Sequence, residues 1–339
     1  MIRLAEVRGF SLRLATPLET AADRIDERRG FLLRVTDGED DGIGEATPLP
    51  GWTESEDACR TALDRVREVS DGELAGIETP AAKHGLSLAL ADLRARREGV
   101  SLARWLGADP GTEIVPVNAT IGDSSSEEAA ERAIDAVADG FGTLKLKVGA
   151  RPVPEDVSRV RGVREAVGYG IDLRLDANGG WGRDEAREAL DALSTFDPEY
   201  LEQPLAATDL DGIGALETDV PIALDESLVA PDLERCLEVA DVLVCKPMVL
   251  GGPDRVLTVA NRARARGTRA VLTTTIDGVV ARLGALALAA SIAPGTAHGI
   301  ATGGLLAEDS GDDPSSVERG SMRVPDGPGL GVEWGELRV

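Results

Sequence analysis

Lysine, cysteine and histidine are all scarce in this chain, at four, three and two among 339 residues. The remaining thirty-two basic side chains are arginines, so ordinary surface charge is not carried by lysine. A lysine kept against that background points to a task arginine cannot perform. Lysine gives up its proton near neutral pH when burial or a like charge lowers its pKa, whereas arginine stays charged. Three of the four lysines are crowded into two short segments, KLK with Lys145 and Lys147, and CKP with Lys246. These three are candidate acid–base groups, and Lys83 reads as a surface residue.

The other shortages exclude whole classes of protein. Cys59, Cys236 and Cys245 form an odd, scattered set without CxxC spacing, which argues against a disulfide framework or a zinc site and for a reducing cytosol. His84 and His298 are isolated and read as packed or surface side chains. No apolar run approaches the roughly 20 residues that cross a bilayer, and the start MIRLAEVRGF lacks a secretion signal; a cytoplasmic location is expected. Residues 283–293, the longest apolar run, suit a buried helix. Positive charge is also short: the formal net charge is -24, with sixty acidic residues. Phosphates would be repelled, so neither nucleic acid nor an anionic membrane is an expected partner. Acid spread along the whole chain, with few lysines, fits adaptation to a very salty cytoplasm, a halophilic habitat, where screening over a few ångströms tolerates dense like charge.

What is present is an apolar fraction of 42%, ample for a core, and a repeating pattern. From about residue 114, short strands alternate with helical stretches rich in Ala, Glu and Arg. The strands read as IVPVNAT, TLKLKV, DLRLDA, YLEQP, PIALDE, VLVCKP, RAVLTT and a weaker HGIAT. They recur every 20 to 30 residues or so, the length of a strand plus a returning helix, so the expected class is α/β, a (β/α) barrel. Residues 1–110 read as an α+β capping domain: strands at IRLAEVRGFSLRLA and FLLRVTD, a turn at Gly42 to Gly44, and helices around 54–69 and 80–98. The barrel spans 111–305, and the turn-rich segment 306–339 is expected to return to the cap.

Unusual polar residues fall at the C-terminal ends of these strands, the face where barrel enzymes carry their active sites. Lys145 and Lys147 lie on the second, Asp176 on the third, Glu202 on the fourth, Asp225 on the fifth and Lys246 on the sixth. Side chains two apart on a strand share a face, so Lys145 and Lys147 point inward together, and Lys145 is expected to lower the pKa of Lys147. Three carboxylates with no nearby histidine or cysteine make an oxygen-only ligand set for a hard cation, magnesium or alternatively manganese. A substrate carboxylate on that ion would place its α-carbon between lysines, and the enediolate left by loss of the α-proton would be stabilised by the surrounding positive charge. The expected partner is a small-molecule carboxylate; self-association into a homo-oligomer is left open.

KLKVG, LRLDANGGW, LEQP, ALDES and VCKP, in this order and spacing, resemble the signature segments of the enolase superfamily, muconate-lactonizing subgroup. The resemblance implies a modified TIM barrel of (β/α)7β type under an N-terminal cap. It implies Asp176, Glu202 and Asp225 as metal ligands, Lys147 as the base and Lys246 as the opposing electrostatic partner. GEATPLPGWTES and the region from AVLTTTIDG to HGIATGGLLAED are most similar to the o-succinylbenzoate synthases, lyases of menaquinone biosynthesis that eliminate water in a syn sense. Lys147 would then both take the proton and return it to the leaving hydroxyl. The alternatives are N-acyl amino acid racemization, dipeptide epimerization and muconate-type cycloisomerization. Where relatives often carry serines on the seventh strand, this chain has Thr273, Thr274 and Thr275. It lacks the Asp-x-Asp with which dipeptide epimerases hold an amino group at the end of the eighth strand. Substrate contacts are expected from Thr273, Thr274, Gly303, Gly304 and Trp52, with the cap loops at about 16–30 and 47–55 enclosing the pocket. Arg24, Arg28 and Arg29 are candidates for a remote carboxylate, and Glu226 is a weaker candidate ligand than Asp225.

Overall fold

A computed structural model describes residues 1–19, 24–229 and 232–338. Two long strands, β1 (Arg3–Glu19) and β2 (Arg24–Thr36), pair antiparallel, and β3 (Asp41–Ala46) pairs with the other edge of β2. β3 replaces the turn expected at Gly42 to Gly44. The two glycines serve close approach and not a bend. A Cβ on Gly42 would lie 2.1 Å from the Ala89 carbonyl oxygen, and one on Gly44 would lie 1.9 Å from that of Gly85. Both carbonyls belong to the helix Pro80–Arg97, which begins with proline where no N–H is needed and buries Leu86, Leu88, Leu90 and Leu93. The helix Glu56–Arg65 starts at Ser55, whose hydroxyl accepts from the Ala58 N–H.

The segment IVPVNAT does not form one strand. β4 (Ile114–Pro116) and β5 (Ala119–Ile121) belong to different sheets. Pro116 offers no N–H to prolong a ladder, and the next two amides turn to different partners, Val117 to the Gly320 carbonyl and Asn118 to that of His298. From β5 the chain builds a curled parallel sheet in simple order: β6 (Thr143–Lys147), β7 (Asp172–Asp176), β8 (Tyr200–Glu202), β9 (Ile222–Leu224), β10 (Val242–Cys245) and β11 (Arg269–Leu272). A helix returns the chain after each strand, and Leu144, Leu146, Leu173, Leu175, Leu201 and Leu243 are fully buried. The ring closes through two single bridges, Val117 with His298 and Thr273 with Gly299. His298 stands at this seam. Its Nδ1 accepts from the Leu272 N–H and its Nε2 faces the Ala293 carbonyl, and burial lowers its pKa to about 4.

Beyond the barrel, β12 (Val317–Glu318) and β13 (Ser321–Arg323) form a small sheet with β4. The chain then reaches the N-terminal unit, where buried Asp92 accepts from the amides of Ile43 and Leu330, and the Trp334 ring lies under Arg8. Among the described residues no helix is long and apolar enough to cross a membrane.

Two buried ionic side chains fasten the N-terminal sheet to the barrel rim. Arg28 donates to the carbonyls of Thr47, Pro48 and Ile276. Glu45 accepts from the amides of Gly278 at 2.7 Å and Ala281 at 3.0 Å, and from the Thr47 hydroxyl. Burial, with Asp277 beside it, pushes Glu45 up to about 7; Asp309 adds to the rise, while the Thr47 hydroxyl and the Ala281 amide favour the anion. The folded protein therefore holds this proton more tightly than the unfolded chain does, and the associated stability, complete in acid, is lost as pH rises through about 7. The unfolding free energy of the wild type relative to Glu45→Gln is expected to fall by about 2 kcal/mol between about pH 5 and pH 8. Parallel urea titrations at the two pH values measure it.

Candidate active site

Strand ends set the geometry. Along β6, Leu144 and Leu146 are buried while Lys145 and Lys147 alternate to the other side, the period of two that puts both lysines in one interior. Lys147 pairs in register with Asp176, and Asp176 with Glu202. Asp225 directly follows β9 and Lys246 directly follows β10. Five consecutive strands thus bring three lysines and three carboxylates to the same mouth.

Their contacts interlock. Lys145 Nζ lies 2.8 Å from Asp176 Oδ2 and 2.8 Å from Glu202 Oε1. Lys147 Nζ donates to Asp176 Oδ2 at 2.6 Å and to Asn178 Oδ1 at 2.7 Å. Lys246 contacts Asp225 Oδ2, and the Trp52 ring stands 4.0 Å from its ammonium. The side chain of Lys147 is 35% exposed, against 12% for Lys145 and 10% for Lys246, so it is the most accessible of the three.

Asn178 and Glu226 complete the cluster. Asn178 Nδ2 donates to Glu226 Oε1 at 2.9 Å. Asn178 and Gln203 each sit two or one residues past a carboxylate strand end, with φ of 45° and 43°, a left-handed backbone that non-glycine residues adopt where surroundings impose it. Asn178 escaped sequence reasoning, although an asparagine before two glycines and two residues after Asp176 carried the signal: asparagine tolerates that backbone. Gln203 accepts from the amides of Asp225 and Ser227 and so orients the start of the following turn.

Electrostatics follow from burial. Burial alone would raise Asp176, yet Lys145 and Lys147 hold it well below the usual carboxylate range. Burial and the Asp176 charge push Glu202 up to about 7, and burial raises Asp225 against the pull of Lys246. Burial would lower Lys145, but Asp176 and Glu202 more than offset it and raise it well above its ordinary value. Lys145 is therefore a fixed cation here.

Four carboxylates, counting Glu226, face three ammonium groups, and Glu202 Oε2 and Glu226 Oε2 are buried without a hydrogen-bond partner. A surplus of anionic oxygen with unpartnered buried acceptors is the environment a hard divalent cation fits. Among the described residues no three His, Cys, Asp or Glu side chains form a ready-made cage, since Lys145 stands between Asp176 and Glu202. Asp176, Glu202 and Asp225 are the groups that could hold an ion.

The remaining expected contacts divide. Thr273 donates to the Gly299 carbonyl and the Thr274 hydroxyl bonds that of Thr302, so both are committed within the rim beside the lysine site. Gly303 and Gly304 line a different cleft, of about 1270 Å³, bounded by Phe10, Arg282 and Asp309 and by none of the lysines or carboxylates above. Arg28 spends its donors on backbone carbonyls, and Arg24 and Arg29 pair with Asp26 and Glu27. Of the cap loop at 16–30, residues 20–23 lie outside the described residues. His84 is buried, its Nδ1 against the Glu45 carbonyl.

Residues 128–337 match the family model described as Enolase C-terminal domain-like, and residues 2–93 match MenC, N-terminal domain. The chain belongs to the enolase superfamily. An L-Ala-D/L-Glu epimerase of Clostridium acetobutylicum is 32% identical, over 96% of this chain and 96% of its own. An o-succinylbenzoate synthase of Thermobifida fusca is 37% identical, over 63% of this chain and 68% of its own. Among solved structures, a dipeptide epimerase of Enterococcus faecalis complexed with Mg and the dipeptide L-Leu-L-Tyr superposes with a TM-score of 0.87. It is 26% identical, and the match covers 97% of this chain and 99% of that one. This superfamily enzyme therefore shares its whole architecture with a magnesium-binding relative.

Replacing Glu202 by Gln removes one anionic oxygen from the all-oxygen set and leaves Lys145 with less charge to balance. Magnesium affinity measured by titration calorimetry is expected to fall by on the order of 100-fold or more, beyond what outer partners of a metal site typically cost. An unchanged affinity would remove Glu202 from the ligand set.

Proposed function

We propose that this enolase-superfamily enzyme is a lyase that dehydrates a cyclohexadiene carboxylate bearing a succinyl arm to o-succinylbenzoate. A bound magnesium ion would supply fixed positive charge for the substrate carboxylate; Asp176, Glu202 and Asp225 would hold it. Lys147, the most accessible amine, takes the proton from the carbon α to the carboxylate. As that C–H bond breaks, the Lys246 ammonium faces the developing negative charge from the other wall. The C–O bond to the neighbouring hydroxyl then breaks, Lys147 returns its proton to the leaving oxygen, and water departs while the ring becomes aromatic. Syn geometry allows one amine to perform both transfers.

The observation that carries this reading over epimerization is the end of the eighth strand. Residues 300–302 are Ile300, Ala301 and Thr302: Ile300 is fully buried and the Thr302 hydroxyl is engaged by Thr274. No carboxylate of that segment is available for a substrate amino group, which the Asp-x-Asp of dipeptide epimerases holds. The match of residues 2–93 to the MenC N-terminal domain supports the same choice. Epimerization or racemization is the second reading, favoured by the full-length likeness to an L-Ala-D/L-Glu epimerase. The acidic, lysine-poor surface supports a cytoplasmic protein of a salt-rich cell, so assays belong in concentrated KCl.

Lys147→Ala is expected to lower dehydration by at least about 1000-fold, within the span typical of a lost general acid–base group, while fold and magnesium binding persist. Product formation followed by absorbance, beside deuterium exchange at the α-carbon of N-acyl amino acids and dipeptides, tests both readings. Exchange with inversion and no loss of water would replace the dehydratase by the isomerase.

A further inference from the structure

Glu45 is a carboxylate buried where an uncharged side chain would cost less, and it lies outside the lysine site. Burial alone disfavours its ionised form, so the donors around it must compensate. Three donors converge on it: the Gly278 and Ala281 amides at the start of the helix Val279–Ile292, and the Thr47 hydroxyl. The approach to the helix depends on Gly278. A Cβ there would sit 2.8 Å from Glu45 Oε2 and 3.1 Å from Oε1.

Thr47 carries the contact onward. Its amide donates to the Met248 sulfur at 3.4 Å, two residues beyond Lys246, and the same loop places Trp52 over the Lys246 ammonium. On the barrel side, the stretch between Thr273 and Gly278 includes Ile276, whose φ of 60° is an outlier for a β-branched residue. Its carbonyl is held by Arg28, which also binds the Thr47 and Pro48 carbonyls. Two buried ionisable side chains thus grip the same two segments, one through the helix start and one through the strained turn.

We propose that Glu45 is a positioning residue of the active site, tying the loop that bears Trp52 to the barrel segment 273–281 and thereby fixing the substrate enclosure. The proposal rests on reading the lysine cluster as the active site, and not on which reaction runs there. It assigns Glu45 no contact with substrate.

Glu45→Gln keeps the shape but turns a donor toward the Ala281 amide. Gly278→Ala keeps the charge and displaces the carboxylate. In magnesium-loaded full-length protein, both variants are expected to speed amide hydrogen exchange in segments 47–53 and 276–283, with exchange in β6 to β8 unchanged. The Trp52 contribution to fluorescence, taken as the difference from the matching Trp52→Phe protein, is expected to become more quenchable by acrylamide. KM is expected to rise about tenfold with kcat changed less than about threefold, the scale of one lost hydrogen bond to a charged group. Wild-type exchange in both segments and an unaltered KM in either folded variant would overturn the proposal. A uniform rise in exchange over the whole chain would overturn it too, because that marks general destabilisation. The exchange readout needs no substrate, so it stands apart from the Lys147 test: failure there changes the reaction assigned and leaves the tie between the segments to be judged by itself.

Discussion

The mouth of the barrel is organised around buried negative charge that no single partner balances. Asp176, Glu202 and Asp225 converge from neighbouring strand ends and are held by three ammonium groups, and Glu226 is joined to the cluster through Asn178. Removing one member of such a set leaves an uncompensated buried charge, whose cost exceeds what the intact pair contributes. The cluster also explains why lysine persists here in an arginine-rich chain. Lys145 reaches two carboxylates with one compact nitrogen, a geometry that a planar five-donor guanidinium does not reproduce.

Arginine takes the complementary task, fastening loops. Arg159 donates to the carbonyls of Gly122, Ser124 and Lys147, and Arg164 to those of Phe196, Asp197, Gly168 and Ile171. A fork of five donors satisfies several orphan carbonyls where turns would otherwise leave them buried and unpaired. Arg159 fixes the backbone at Lys147 itself, so the two basic residue types cooperate at the site while doing different things.

The barrel, its strand order and the polar residues at its strand ends were legible in the sequence because each depends on local period and spacing. A strand of two inward lysines flanked by leucines is readable from the alternation alone. What escaped depends on contacts between distant segments. Gly42 and Gly44 look like turn residues until the backbone of the helix Pro80–Arg97 is placed against them. Arg28 looks like one of many surface arginines until Ile276 arrives from 248 positions away. Gly303 and Gly304 follow the eighth strand as substrate contacts would, yet both line another cleft and Gly303 lies against Arg282. Which side of a strand end a loop finally takes is a property of tertiary packing, and composition carries little trace of it.

At the seam of Val117, His298 and Gly299 the ring is stitched by single bridges where every other junction is a ladder. Local opening begins where the fewest bonds must break. Local opening of the wall is therefore expected first on the side of Thr273, opposite the strands that carry Asp176 and Glu202. The half that carries the carboxylates is tied by ladders and ion pairs, and the other half is the side free to yield when a ligand passes.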